Sequence, residues 1–426
     1  MVRTQSVTVE SMLSDERYMA FLLEMKALFR KDASFSSKHL PKLLLAAARG
    51  ERVVKFKDQY IVNSWVPPIP SEAFFSFLRG GIFEDTRFSD LAYLRRSSPL
   101  SAHLCITERC PYRCSHCGAT PQNRGAELTT EQWIGVLREL QDLGVAYIGI
   151  SGGEPLMRND LEEILRVIDD RSVTLIFTNG FGYSRDRAKS LRDAGLFYSG
   201  ISVDSPYAEE HNRVRRNPQA FDHALTAIQN SLDAGLYTML SSVVFRRDLA
   251  EKRLRVLFRL AQERGVHEVR IHQPIPRGRL TNSETAGEVI WTDADVKRWL
   301  DFQEMINQSE VGVRISSFPY TEGPRKFGCN AGLLHLYVTA KGDVWPCDFV
   351  PVSFGNLLNE PLRPIYERMK SAAGIPHRQC WAKRLAPRFS QRELPLDPKE
   401  STEFCKSCEE KPQFGDFFRT LQECVQ

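Results

Sequence analysis

Six apolar, β-rich runs lie between about residues 100 and 280, at 103–107, 145–151, 173–178, 198–203, 237–245 and 269–273. Each ends in polar or glycine residues, and helical patterns lie between them. In TTEQWIGVLRELQDLG, Trp133, Leu137, Leu140 and Leu143 fall near one face, with Thr130 as the expected N-cap and Gly144 as the stop. AFDHALTAIQNSLDAGL and EKRLRVLFRLAQERG read the same way. Successive β/α units build a parallel sheet covered by helices. Right-handed crossovers curl such a sheet into a full or partial barrel. The expected fold is therefore α/β, a partial (β/α)6 TIM-like barrel over residues 99–320. An N-terminal accessory or docking domain over 1–98 precedes it, and a small Cys- and Pro-rich domain over 321–426 follows. Active sites of such barrels sit at the C-terminal ends of the strands.

The N-terminal region shows helical patterns near residues 10–29 and 39–49, then a strand pair, VVKF and YIVNSWV, around the turn Lys57–Asp58–Gln59. No catalytic constellation is visible there. Basic residues number 57 and acidic residues 53, a formal charge of +4, so neither nucleic acid nor a membrane surface is expected as a partner. The first residues lack the apolar core of a signal peptide. No apolar run reaches the roughly 18 residues of a spanning helix. A cytoplasmic location is expected, and in a reducing compartment ten cysteines point to metal binding or chemistry rather than disulfides.

Four of those cysteines crowd into CITERCPYRCSHCGAT. Cys110, Cys114 and Cys117 form C-x3-C-x2-C directly after the first expected barrel strand. Three thiolates at this spacing hold three corners of a four-iron cluster and leave one iron open to a reacting ligand. A zinc site or a closed structural cluster is the alternative, with His116 as a poorly placed fourth ligand. Cys105 lies in the strand and reads as a buried apolar residue.

Together with SGGEP after the second strand, TNG after the third and ISVDSP after the fourth, this order of motifs resembles the radical S-adenosylmethionine (SAM) enzymes over residues 100–426. The resemblance implies that SAM chelates the open iron of a [4Fe-4S] cluster. An electron, from a donor such as flavodoxin or ferredoxin, then cleaves SAM to a 5′-deoxyadenosyl radical that abstracts hydrogen from substrate. It assigns Gly152, Gly153 and Glu154 to the SAM ammonium, and Thr178 and Asn179 to the ligand's surroundings. Ser202 and Asp204 go to the ribose or substrate pocket, and His116 joins the cofactor-binding set. Arg215 would pair with the SAM carboxylate or else be a surface arginine. In the run His211–Asn212–Arg213–Val214–Arg215, Asn212 replaces an aspartate common in relatives with peptide substrates. HQPIPRGRL resembles a P-x-G-R segment of such barrels, where His272 and Gln273 end a strand.

Beyond residue 320 the chain resembles the auxiliary-cluster domain called SPASM, or its shorter form, twitch. Cys329, Cys347, Cys405 and Cys408 are the ligands expected for one auxiliary [4Fe-4S] cluster, with structural zinc as the alternative. Cys380 is a substitute ligand and Cys424 an extra. The resemblance to sulfatase maturases makes Asp348 the expected acid–base residue, with a pKa raised by burial beside the cluster. Its alternative is a turn-capping role. The expected reaction is oxidative modification of a peptide or protein, with a small molecule such as an aminocyclitol as the alternative substrate. A non-catalytic iron–sulfur or zinc protein is the reading from another class.

Overall fold

The strands β1 (Ser101–Cys105), β2 (Tyr147–Ser151), β3 (Val173–Thr178), β4 (Tyr198–Ser202), β5 (Tyr237–Val243) and β6 (Glu268–His272) form adjacent parallel pairs in chain order. In this computed structural model residues 4–425 are described, apart from 33–34, 37, 64, 82–85, 120–124, 282–285, 310–311, 390–391 and 409–410. Their near-continuous apolar runs suit strands buried on both faces. The sheet is wider than expected. Strand β7 (Arg314–Ser317) adds in parallel beyond β6, and β8 (His335–Val338) adds in parallel beside β1. Strand β9 (Val344–Trp345) turns back antiparallel on β8, giving the nine-stranded order β7-β6-β5-β4-β3-β2-β1-β8-β9. The architecture is a partial TIM-like barrel with helices packed outside.

The helix Thr130–Leu143 buries Trp133, Val136, Leu137, Leu140 and Leu143 against this sheet. Its N-cap is Thr129, not Thr130. Thr129 is extended and forms a capping box with Gln132, whereas Thr130 already lies inside the first turn. Gly144 ends the helix at φ +105°, a conformation that favours glycine.

The pattern near residues 10–29 is two helices, Val9–Leu13 and Glu16–Leu28, broken at Ser14–Asp15. Helix His39–Ala48 follows, and Val54–Phe56 pairs antiparallel with Gln59–Ile61. Phe21, Phe74 and Phe88 share one apolar core with Phe327, Leu333, Phe417 and Leu421. The last described helix, Asp416–Val425, thus packs on the first hundred residues. The C-terminal region carries the helices Leu362–Ala373, Trp381–Phe389 and Pro398–Lys406. No helix among the described residues is long and apolar enough to cross a membrane.

Lys326 is fully buried where these parts meet and donates to Ala46 O at 3.1 Å and Arg49 O at 2.9 Å. Burial lowers its pKa to about 8. The unfolded chain therefore binds the extra proton between about pH 8 and the ordinary lysine range, and this residue's contribution to stability rises with pH across that window. Accordingly, the stability difference between the wild-type protein and Lys326→Met should shift in favour of wild type between pH 7.5 and 10. Urea denaturation at the two pH values measures it; an unchanged difference would contradict the assignment.

Candidate active site

The loop after β1 carries Cys110, Cys114 and Cys117, and it is fastened from both sides. Ser115 N donates to Val214 O at 2.8 Å, Arg279 N to Cys117 O at 3.0 Å, and Arg279 Nη1 to Cys114 O at 2.8 Å. Gly278, at φ +55°, lies so close that a Cβ there would come within 2.3 Å of Cys117 O. The P-x-G-R segment therefore clamps the cysteine loop, a role its sequence did not disclose.

The GGE stretch after β2 packs on the same loop. A Cβ on Gly153 would meet Arg109 O at 2.2 Å, and Glu154 N donates to Arg109 O at 2.8 Å. The Glu154 side chain is buried and points toward β3. It accepts from Thr178 Oγ1 at 2.7 Å, Asn179 N at 2.8 Å and Leu156 N at 3.2 Å. Burial raises its pKa to about 7 despite those three donors. Asn179 in turn aims its Nδ2 at Cys110 Sγ, 3.8 Å away. Glu154 thus orders the second and third strand ends beside the cysteines, and the glycines before it, Gly152 and Gly153, are half-buried. We expect Glu154→Ala to strand Thr178 Oγ1 and Asn179 N–H, at roughly 1–3 kcal/mol for each buried donor. SAM affinity of the reconstituted protein should fall about tenfold or more, with its iron content unchanged. Calorimetric titration tests this; lost iron with retained affinity would contradict it.

At the fourth strand end, Arg215 is buried, which excludes the surface reading. Its Nε donates to Asp204 Oδ2 at 2.6 Å and its Nη2 to Oδ1 at 3.0 Å, while Nη1 lies 4.0 Å from Cys114 Sγ. Burial alone would raise the Asp204 carboxyl. Arg215, then His116 and His211, reverse this and hold it well below the usual range. His116 Nε2 is 3.8 Å from Asp204, and burial lowers the ring's pKa to about 4. Its Nδ1 is buried with no hydrogen-bond partner among the described residues. Asn212 is turned away to a structural task, donating to Pro218 O and accepting from Phe221 N. Ser202 sits half-buried at the end of β4.

The donor set fits an iron–sulfur cluster. Three thiols lie on one loop, Asn179 and Arg215 direct N–H groups at two of the sulfurs, and the guanidinium suits an anionic thiolate centre. Without metal, burial holds the Cys110 thiol up at about 11 and raises Cys114 too. Cys105 is buried, and burial pushes it to about 12, as an inert strand residue.

A cavity of about 520 Å³ lies between the end of β6 and the C-terminal region. Its wall includes His272 and Gln273 on one side and Cys329, Cys347 and Cys380 on the other. His272 is satisfied by Ser241 Oγ at 3.0 Å. The thiols of Cys329, Cys347 and Cys380 are all raised by burial. Cys405 and Cys408 are not in that wall. Cys405 lies in the last turn of helix Pro398–Lys406 and Cys408 just beyond its C-cap Ser407, where the Arg388 guanidinium contacts Cys408 Sγ and lies over the Phe404 ring at 4.7 Å. The four ligands expected from the sequence are therefore divided between two places, and Cys380 joins the cavity group. Cys424 sits in the last helix, bonded to Thr420 O.

Asp348 departs from expectation. Burial would raise its carboxyl, but His103 and then His335 override this and hold it well below the usual range. His103 Nδ1 lies 3.2 Å from Asp348 Oδ1, and His335 Nε2 3.2 Å from Oδ2. Neither histidine was singled out in the sequence. They meet only because β8 pairs with β1, Ser101 opposite His335, and no local pattern announces that pairing.

A partial barrel with three clamped cysteines at its first strand end defines an enzyme that holds an iron–sulfur cluster and a ligand beside it. Residues 104–260 match the radical SAM superfamily and residues 329–409 the iron-sulfur cluster-binding domain SPASM. The chain belongs to the radical SAM superfamily and carries that domain toward its C-terminus. It is an enzyme whose cofactors are SAM and [4Fe-4S] clusters, one of them auxiliary. It is 29% identical over 287 residues to the AdoMet-dependent heme synthase of Methanosarcina barkeri, covering 62% of this chain and 80% of that one. It is 28% identical over 272 residues to the PqqA peptide cyclase of Rhizobium meliloti, covering 61% and 72%. Among solved structures, Streptococcus suis SuiB bound to S-adenosylmethionine aligns with a TM-score of 0.54 at 19% identity, over 67% of this chain and 72% of that one. That last likeness is one of fold.

Proposed function

We propose that this enzyme oxidatively modifies a residue of a peptide or partner protein. In this reading Cys110, Cys114 and Cys117 hold the SAM-binding cluster, and Cys329, Cys347 and Cys380 hold the auxiliary one. The observation that carries it is the cavity of about 520 Å³ running from the β6 strand end to the auxiliary thiols. That volume admits a large side chain with its flanking backbone. The likeness to a peptide cyclase supports the same substrate class.

When bound, SAM and its cluster supply hydrogen-atom abstraction. The chain's residues bind and orient. Gly152, Gly153 and the main chain at Glu154 offer close backbone approach to the SAM amino group, and Thr178 and Asn179 hold that loop in place. Ser202 and Asp204 face the ribose side, with Asp204 kept ionised by Arg215 and flanked by His116. A flavodoxin or ferredoxin supplies the electron. Asp348, with both carboxylate oxygens engaged by imidazoles, is not given the base role.

The likeness to heme synthases favours a second reading, a small-molecule substrate, and Lys297, Lys383 and Arg384 in the cavity wall suit one that bears anionic groups. Protease treatment separates the two. SAM cleavage by the reconstituted enzyme should be stimulated by a peptide fraction of the source cells and lose that stimulation when the fraction is first digested. Stimulation that survives digestion would overturn the peptide reading and support the small molecule.

A further inference from the structure

We infer that His103, His335 and Asp348 form a mononuclear site for a divalent cation of the zinc class, built without any of the cluster cysteines. One nitrogen from each histidine and one carboxylate oxygen all lie within 4.8 Å of one another. Ligands about 2.0–2.1 Å from a tetrahedral metal are about 3.3 Å apart. Here the separations are 3.2 Å and 3.3 Å from His103 Nδ1 to the two oxygens of Asp348, and 3.2 Å from His335 Nε2 to Oδ2. A charge-assisted N–H···O bond would be shorter, about 2.7–2.9 Å.

Ser101 supports His335 from behind. Its Oγ lies 2.9 Å from His335 Nδ1. An Nδ1–H donated to that hydroxyl leaves the Nε2 lone pair for a cation on the Asp348 side, 3.2 Å from Oδ2. A hydrogen-bond partner on the outer nitrogen of a ligating imidazole is the usual support of such a site, and here Ser101 occupies that place.

The surroundings are built for the ring of His103. A Cβ on Gly149 would come within 2.4 Å of its Cδ2, so the glycine is what lets the imidazole lie there. A cavity of about 40 Å³ touches both histidines and Ser101, room for one or two waters as remaining ligands. Glu322 and Arg270 also line it, and Arg270 is turned to Glu268 at 3.6 Å. Two imidazoles and a carboxylate suit zinc or another borderline cation.

Zinc titration of the cluster-loaded protein tests this, with iron and sulfide measured on the same samples. Wild type should retain one zinc per chain after gel filtration. His103→Gln and His335→Gln should each lose it with iron and sulfide unchanged. Ser101→Ala, which leaves every ligand in place, should weaken zinc binding roughly 10- to 100-fold and guards against a variant that merely misfolds. No retained zinc in wild type, or equal zinc in wild type and both histidine variants, would overturn the site and leave the trio a hydrogen-bonded one.

Discussion

Replacing Arg314 with methionine should cost the folded protein roughly 3–5 kcal/mol, the range for breaking a buried ion pair from one side. Arg314 lies on β7 and is fully buried. Its Nη1 lies 3.3 Å from Glu268, which is also fully buried, and its Nη2 lies 3.9 Å from Glu51 and donates to Val62 O at 3.2 Å. The Glu51 oxygens accept no hydrogen bond among the described residues, so that carboxylate depends on the nearby cations. Burial raises its pKa, and Lys326 and then Arg314 oppose the rise. Arg314 thus joins the last parallel strand of the barrel to the segment that leads out of the N-terminal helices. Its loss leaves two buried acids to protonate or take up water. Urea denaturation should show the drop, and adding Glu268→Gln to Arg314→Met should restore part of it. A loss below about 1 kcal/mol would place these charges among exposed pairs of little net worth.

A second large effect belongs to the auxiliary thiols. Cys380→Ala should remove close to one four-iron cluster per chain, because its thiol shares a cavity wall with Cys329 and Cys347. Replacing Cys405 and Cys408 together should leave that iron in place, since they sit beside Arg388 at the end of another helix. Iron and sulfide analysis with electron paramagnetic resonance of the reduced protein distinguishes the outcomes. The reverse result, iron lost only with Cys405 and Cys408, would return the auxiliary site to the ligand set first read from the sequence.

Much of the barrel was legible because its signals are local. The run at 173–178 is the observed β3 residue for residue, and the others are off only at their ends. Strand composition and helix stops such as Gly144 act within a few residues. The cysteine loop and the GGE stretch were legible for the same reason. What stayed hidden depends on distant pairing. Strands β7 and β8 lie outside the six runs read as the barrel, and only the sheet brings them to β6 and β1. His103 and His335 are 232 positions apart in number and meet through that register. Glu154 was read as a ligand-gripping acid, yet its carboxylate is committed to Thr178, Asn179 and Leu156. Asp348 was read from its neighbour Cys347 alone, and the two imidazoles that reverse its pKa come from other strands.

The most direct measurement is anaerobic reconstitution with iron and sulfide, addition of SAM and a strong reductant, and quantitation of 5′-deoxyadenosine. The wild-type protein should form it, and the Cys110/Cys114/Cys117→Ala variant, which lacks the clamped thiols, should form none above background. Absence of product from wild-type protein with a full iron complement would contradict the account at its centre.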